Sequence, residues 1–171
     1  SSSNSQLFPS ANLTLGGTGT DRTLTLKPAD NTSGEADITI EVTDGEGAKA
    51  TRTFKVTVNA VNDLPTITDV SDQSITEDVN LGPLAFTVGD LETAAAALTV
   101  TATSSDQTIL PNANLSLGGT GANRTITIDP VAGSNGTVTV TLTVSDGTGQ
   151  ATTSFQITIN IVSGIEWQDI S

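Results

Sequence analysis

The feature that most constrains this sequence is that it contains one pattern twice. Residues 10–26, SANLTLGGTGTDRTLTL, align without a gap onto residues 112–128, NANLSLGGTGANRTITI, a displacement of 102 residues. ITIEVTDGEG at 38–47 aligns onto VTLTVSDGTG at 140–149 with the same displacement. One deletion follows, and FKVTVNAV at 54–61 then matches FQITINIV at 155–162. Such a chain is an array of repeats, each one folding unit of about 100 residues.

The repeat is made of residues that favour β-strands. Thr, Val, Ile, Ser, Asn and Gly dominate, and aromatic residues make up only 3% of the chain. Alternation of apolar and polar residues predicts eight strands in the second unit, at about 65–69, 73–76, 84–88, 98–102, 114–117, 124–129, 136–144 and 152–160. The fold class predicted is all-β, with tandem antiparallel Greek-key β-sandwiches. On the last strand, Phe155, Ile157 and Ile159 should face the core, and Thr158 and Asn160 the solvent.

The two units are expected to differ in completeness. Residues 1–62 form a partial repeat, because the sequence holds no counterpart of residues 64–102 ahead of Ser1. Residues 63–162 form a complete repeat, and 163–171 are a tail or a donor strand. A half-sandwich exposes an apolar face and unpaired sheet edges. Two explanations stay open: the chain is a segment of a longer array, or another chain supplies the missing strands and the subunits polymerise by strand exchange.

The charge of the chain restricts its partners. The formal net charge is −13, and residues 64–171 contain Arg124 as their single basic residue. A surface of this sign repels nucleic acid and anionic membranes and attracts cations. The expected partners are therefore neighbouring repeats or identical subunits, and a cell-surface or glycan ligand is left open.

The residue types that most catalytic sites need are missing. The chain has no Cys and no His, which excludes the usual catalytic triads and thiolate chemistry. The glycine-rich segments GGTG at 16–19 and 118–121 lack the Lys-Ser/Thr of a phosphate-binding loop and are predicted to be hairpin turns. We therefore expect no enzyme activity. The lack of both Cys and Met suits an exposed, oxidising, extracellular location.

Four short motifs follow one another in a spacing typical of a known family. They are VNDLP at 61–65, ITED at 75–78, VGDLE at 88–92 and VSDG at 144–147. In this order they resemble the cadherin-like, Ig-like β-sandwich repeats of large bacterial extracellular proteins and adhesins. Through the internal repeat, the resemblance extends over residues 2–162.

The resemblance implies calcium at the linker between repeats. Carried over by position, the ligands would be Asn62 and Asp63 in the linker, Asp90 and Glu92 in a loop, and Asp146 near a strand end. Asp44 would correspond to Asp146 in the first unit, and Glu77 would face the linker after the second. Calcium prefers six to eight hard oxygen ligands, which these side chains and nearby carbonyl groups could supply.

The sequence also departs from the family pattern. Ala60 stands where a cadherin linker has an aspartate, and the Asn-Asp-x-Pro motif does not recur after Val162. The alternative is that residues 62–65 form a turn that sets the start of the next strand, and that the Asp-Gly pairs are hairpin turns.

The resemblance implies a structural or adhesive repeat module of an extracellular bacterial surface fibre. Two alternatives are a filament subunit that polymerises by strand exchange and an accessory glycan-binding module of a secreted enzyme.

Overall fold

Twelve β-strands carry the architecture in the computed structural model, which describes residues 1–162. They are β1 (Leu13–Thr18), β2 (Asp21–Leu26), β3 (Gly34–Thr43), β4 (Lys49–Val58), β5 (Thr66–Ile67), β6 (Gln73–Thr76), β7 (Leu81–Gly89), β8 (Thr99–Ser104), β9 (Leu115–Thr120), β10 (Asn123–Ile128), β11 (Gly136–Ser145) and β12 (Gln150–Asn160). Two single-turn 3-10 helices, Ser10–Asn12 and Asn112–Asn114, occupy equivalent places in the two repeats. No helix within residues 1–162 is long and apolar enough to cross a membrane.

The chain divides into two compact units, Ser1–Val61 and Asn62–Ser171. The second unit is a sandwich of two four-stranded sheets, with strand orders β5-β7-β10-β9 and β6-β12-β11-β8. The first unit has two two-stranded sheets, β1-β2 and β3-β4. The predicted donor strand at 163–171 lies outside the described residues.

The core of the second unit is formed by the alternating apolar positions of its strands. Its longest antiparallel pair joins β11 to β12, with Val140 opposite Phe155 and Val138 opposite Ile157. Phe155, Ile157 and Ile159 are all buried, as the alternation predicted. Thr158 is half-buried, and Asn160 is exposed.

The all-β sandwich prediction is confirmed, with one exception to the antiparallel pairing. β6 pairs with β12 in parallel, and Ile75 lies opposite Ile159. Parallel neighbours cannot be joined by a hairpin, and here the rest of the unit forms the connection between them.

The predicted first strand is shorter in the structure. β5 contains only Thr66 and Ile67, which pair with Gly89 and Val88 of β7. Beyond β5, the hydroxyl of Thr68 accepts a hydrogen bond of 2.8 Å from the amide of Thr87. The amide of Thr68 still donates to the carbonyl oxygen of Thr87 at 3.0 Å, but the Thr68 hydroxyl takes the place of the backbone acceptor, and the regular strand ends at Ile67, two residues early.

The two glycine-rich segments lie in the β1–β2 and β9–β10 hairpins, as predicted. Gly17 and Gly119 have φ of 80° and 85°. A Cβ on Gly119 would collide with the carbonyl oxygen of Asn123. These positions need glycine for backbone reasons that have no connection with phosphate binding.

Candidate functional site

Five predicted metal ligands lie at one end of the second unit, where two turns meet its first residues. Asn62 and Asp63 precede β5, Asp90 and Glu92 follow β7, and Asp146 lies in the turn between β11 and β12. Because Thr66 pairs with Gly89, the start of β5 lies beside the end of β7. We call these five residues the linker cluster. Asn62, placed in the first unit by the sequence boundary, belongs to the second.

Asp146 closes its own turn and also holds the linker. One carboxylate oxygen accepts hydrogen bonds of 2.6 Å from the amides of Thr148 and Gly149. The other accepts a hydrogen bond of 2.9 Å from Nδ2 of Asn62. The Gly149 amide, the Asn62 side chain and the Thr148 amide together lower the pKa of Asp146. Both oxygens are therefore engaged without a metal.

The second part of the cluster surrounds Asp90. Its Oδ1 accepts hydrogen bonds from the amides of Glu92 at 3.0 Å and Thr93 at 2.7 Å. Its Oδ2 is buried and has no hydrogen-bond partner among the described residues. Glu92 accepts a hydrogen bond of 3.2 Å from the amide of Asp63. An unpartnered buried carboxylate oxygen is costly, and a cation would relieve that cost.

The linker cluster offers the oxygen ligands that calcium prefers, but these ligands do not converge on one point. Within residues 1–162, no three acidic side chains stand close enough together to hold one ion. Nδ2 of Asn62 lies 2.7 Å from the carbonyl oxygen of Asp63 and 2.9 Å from Asp146. An amide donor thus occupies the place between two oxygens that a cation could take. Calcium at the linker stays a prediction, and Asp90 Oδ2 is the atom that favours it.

The second unit supplies no basic side chain to balance this cluster. Arg124 is the one basic residue of residues 64–171. Its guanidinium group donates to the carbonyl oxygens of Ala95, Leu98 and Gly121.

Asp44, the expected counterpart of Asp146, also lies in a turn. Its Oδ1 accepts hydrogen bonds from the amides of Glu46 at 3.0 Å and Ala48 at 2.8 Å. An Asp-Gly pair therefore begins the turn in both repeats, although the turn spans residues 44–48 in the first and 146–149 in the second.

A second set of polar contacts joins the first strands of the second unit to its last strand. Asp72 accepts a hydrogen bond of 2.7 Å from the amide of Gln156, and the buried hydroxyl of Thr153 donates to Asp69 at 2.7 Å. The Asn160 side chain donates to Ser74 Oγ at 2.9 Å and to the carbonyl oxygen of Ile75 at 3.0 Å. We call residues 69–77 and 153–162 the β6–β12 interface.

Sequence reasoning did not find the β6–β12 interface. Asn160 was expected only to face water, and it does so while also bonding to β6. Glu77, assigned to the linker after the second unit, accepts a hydrogen bond of 3.0 Å from the amide of Val162. Its own amide donates to the carbonyl oxygen of Asn160 at 2.8 Å. The chain leaving β12 is therefore held by the residue that follows β6.

Comparison with known proteins gives one family match. The sequence pattern of the bacterial Ig domain matches residues 2–57 and 62–160. No curated protein matches the chain.

Three solved structures illustrate the structural likeness. An endo-fucoidan hydrolase of glycoside hydrolase family 107 is 22% identical over 90% of this chain, with a TM-score of 0.45, and this chain covers 23% of its length. The titin domains Z1Z2 in complex with telethonin are 17% identical over 94% of this chain and 77% of their own, with a TM-score of 0.47. The titin M10 and obscurin-like 1 Ig complex is 13% identical over 58% of this chain and 97% of the matched one, with a TM-score of 0.44.

The family match covers both copies of the internal repeat and most of the chain. It confirms the predicted resemblance at the level of Ig-like β-sandwich repeats of bacterial proteins. The chain belongs to the bacterial Ig domain family.

Proposed function

We propose that this chain is a structural segment of an extracellular bacterial surface fibre, in which its repeats act as spacers that resist stretching. The observation that carries the proposal is the parallel pairing of β6 with β12. β6 lies near the start of the second unit and β12 ends it. The two-residue β5, which pairs with β7, comes before β6. Apart from β5, the strands nearest the two ends of the unit are therefore bonded to each other.

Parallel pairing determines how this interface responds to tension. Pulling on the two ends of the unit draws β6 towards its N-terminal end and β12 towards its C-terminal end. In a parallel pair these forces run along the strands in opposite directions. The four residue pairs from Ile157–Gln73 to Asn160–Thr76 are then loaded together. An antiparallel hairpin pulled at its open end would lose its bonds one after another.

The side chains of the β6–β12 interface add to this resistance. Asp72, Asn160 and Glu77 each bond across the two segments. A single hydrogen bond contributes only about 1 kcal/mol to stability, so a bonded set that must break together is what a spacer needs.

Two properties of the chain support an extracellular site for such a spacer. Bacterial Ig domains are typically surface proteins, and this chain matches that family along most of its length. Its charge of −13 keeps neighbouring chains apart and in solution.

Single-molecule stretching of residues 1–171 between inert handles tests the proposal. The second unit should open in one step that releases about 100 residues, or about 35 nm of chain. Asn160→Ala, which removes two bonds across the β6–β12 interface, should lower the force of that step.

Asn114→Ala is the matched control. Asn114, just before β9, donates a hydrogen bond of 2.7 Å to the carbonyl oxygen of Asp129, just after β10, away from the interface. It removes one hydrogen bond and should lower the thermal midpoint, while leaving the unfolding force unchanged. Equal losses of force in both variants, or opening in many small steps at low force, would contradict the spacer role.

Calcium binding at the linker cluster is the second part of the proposal. The unpartnered Asp90 Oδ2, the Glu92 carboxylate that accepts from the backbone amide of Asp63, and the lack of a balancing basic residue in residues 64–171 support it. Bound calcium would hold residues 62–64 against the rest of the second unit. Extracellular modules bind calcium with dissociation constants of about 10⁻⁴ to 10⁻³ M, so millimolar calcium is the relevant test.

Thermal unfolding in millimolar calcium and in chelator tests this part separately. Calcium should raise the midpoint of the native chain, because a ligand bound only by the folded state stabilises it. Asp90→Asn and Asp63→Ala should abolish the rise. Asp129→Asn, an equal charge change on an exposed residue outside the cluster, should retain it. Identical curves with and without calcium would remove calcium from the proposal and leave the spacer role to the stretching experiment.

A further inference from the structure

The loop between β10 and β11 leads into the single Asn-Gly pair of the chain, Asn135-Gly136. Glycine has no side chain to shield its backbone nitrogen. In an Asn-Gly pair that nitrogen can therefore reach the side-chain carbonyl carbon of the asparagine and close a five-membered ring. The pair is a place where the chain can react with itself.

The Asn135 side chain is free to take part in such a reaction. It is exposed, and within residues 1–162 it makes no hydrogen bond. Its neighbours hold the loop instead. The amide of Gly133 donates to Asp78 at 2.9 Å, and the hydroxyl of Ser134 donates to the carbonyl oxygen of Val131 at 2.5 Å. The Asn135 carboxamide can therefore turn towards the backbone that follows it.

The first repeat shows that this turn does not depend on asparagine. With the displacement of 102 residues, Ser33-Gly34 corresponds to Asn135-Gly136. Gly34 and Gly136 each begin a strand, with φ of 128° and 135°, a region that favours glycine. The backbone at the glycine is thus nearly the same whether serine or asparagine precedes it.

The two Asp-Gly pairs of the chain, at 44–45 and 146–147, offer a less reactive group. A carboxylate is a much poorer electrophile than a carboxamide. The carboxylates of Asp44 and Asp146 also accept hydrogen bonds from amides of their own turns. Asn135 is the residue that combines an exposed carboxamide with a following glycine.

We propose that Asn135 is a site of spontaneous deamidation, which converts position 135 to aspartate or isoaspartate. The amide nitrogen of Gly136 loses its proton to solvent and attacks Cγ of Asn135. The bond from this nitrogen to Cγ forms, the Cγ–Nδ2 bond breaks, and Nδ2 leaves as ammonia after taking up a proton. Water then opens the succinimide ring, at Cγ to give aspartate or at the backbone carbonyl carbon to give isoaspartate. Water is the co-reactant, and the chain gains one negative charge.

The position of Gly136 in the sheet lets this reaction proceed in the folded chain. Gly136 forms the last pair of the β11–β12 ladder, opposite Ile159. The end of a ladder opens more easily than its middle, because few contacts have to break with it. Local opening of this one pair frees the Gly136 nitrogen without unfolding the unit.

The isoaspartate product disturbs the start of β11. It lengthens the backbone by one methylene group directly before Gly136. The space there is limited, because a Cβ on Gly136 would lie 2.9 Å from Cδ1 of Ile109. The new carboxylate also stands two residues from Gly133, whose amide is bonded to Asp78. The pair between Gly136 and Ile159 should therefore be lost in this product.

Incubation of residues 1–171 at 37 °C and pH 8 tests the site. Peptide mass spectrometry follows each asparagine, and enzymatic methylation of isoaspartate gives a second readout. Asn135 should convert at least about tenfold faster than every other asparagine of the chain. Its rate should rise with pH, because the attacking nitrogen must first lose a proton. Conversion no faster than at the other asparagines, or isoaspartate that forms first at Asp44 or Asp146, would overturn the proposal.

Asn135→Ser is the matched control, because Ser33 occupies the equivalent place in the first repeat. Asn135→Gln keeps a carboxamide but requires a six-membered ring, so its conversion should be far slower. In hydrogen exchange, amides 136–140 of the incubated native chain should exchange at least about threefold faster than those of the fresh chain. Incubated Asn135→Ser should match its fresh sample. An equal rise in both chains, or no rise in the converted native chain, would overturn the proposed disturbance of β11.

Discussion

Asp146 shows how one side chain connects a turn to the residues that begin the unit. Its carboxylate is held by two amides of its own hairpin and by Asn62, which is 84 residues away in sequence. The Asp-Gly pair predicted a hairpin from local chemistry alone, and that hairpin is present. The bond to Asn62 adds a connection across the unit that no local pattern indicates.

The lowered pKa of Asp146 predicts a specific pH dependence. Its largest cause is the hydrogen bond from the Gly149 amide, followed by the bond from Asn62. Because the folded-state pKa lies below the unfolded value, the charged group stabilises the fold above the ordinary aspartate pKa of about 4. That contribution is lost as the pH falls through the lower folded-state value. In urea unfolding between pH 7 and pH 2.5, the free energy of unfolding of Asp146→Asn should fall less in acid than that of the native chain.

Asp129→Asn is the charge-matched control for this measurement. Asp129 is exposed, and its carboxylate makes no hydrogen bond within residues 1–162. The free energy of unfolding of Asp129→Asn should fall with pH as it does for the native chain. If the free energy of unfolding falls equally with pH in Asp146→Asn and in the native chain, the hydrogen bonds to Asp146 do not contribute to folding stability.

At the scale of the element, the β9–β10 hairpin contains glycines that are needed for two different reasons, a positive φ and a lack of space for a Cβ. Gly119 has φ of 85° and also lies against the carbonyl group of Asn123, whereas Gly121 has φ of 57° and open space where a Cβ would stand. Gly121→Ala should cost about 1–2 kcal/mol, the usual cost of a left-handed alanine. Gly119→Ala should cost at least about twice as much, because the backbone must also move. Denaturant unfolding of the two variants measures this extra cost as the difference between their midpoints, provided that the dependence of the unfolding free energy on denaturant is the same. Equal midpoints would contradict the prediction.

The equivalent strands β4 and β12 predict unequal costs for the same substitution. Phe155→Ala should destabilise the second unit by about 3–5 kcal/mol, because it removes a buried aromatic side chain. Phe54→Ala should cost the first unit only about 1–2 kcal/mol, because its side chain is 40% exposed. Hydrogen exchange measured separately on residues 49–58 and 150–160 checks both values. A comparable loss at both positions would show that Phe54 is covered in solution.

For the whole molecule, sequence predicted the repetition, the sandwich and most strand bounds, because alternation and turn residues are local signals. β12 was predicted at 152–160 and found at Gln150–Asn160. The β6–β12 pairing was not predicted, since Gln73 and its partner Ile157 are 84 residues apart. In the linker cluster, sequence found the five residues but could not show that Asn62 already satisfies Asp146 or that Asp90 Oδ2 is left without a partner.

The two units should differ in stability because their cores differ in extent. Four buried apolar residues form the core of the first unit, whereas fourteen form that of the second. Burial of each large apolar side chain contributes about 1.5–3 kcal/mol, so the first unit has far less to offset its conformational entropy. In native-state hydrogen exchange under increasing denaturant, residues 34–58 should lose protection well before residues 136–160. A single shared transition would show that the first unit draws stability from contacts beyond its own four-residue core.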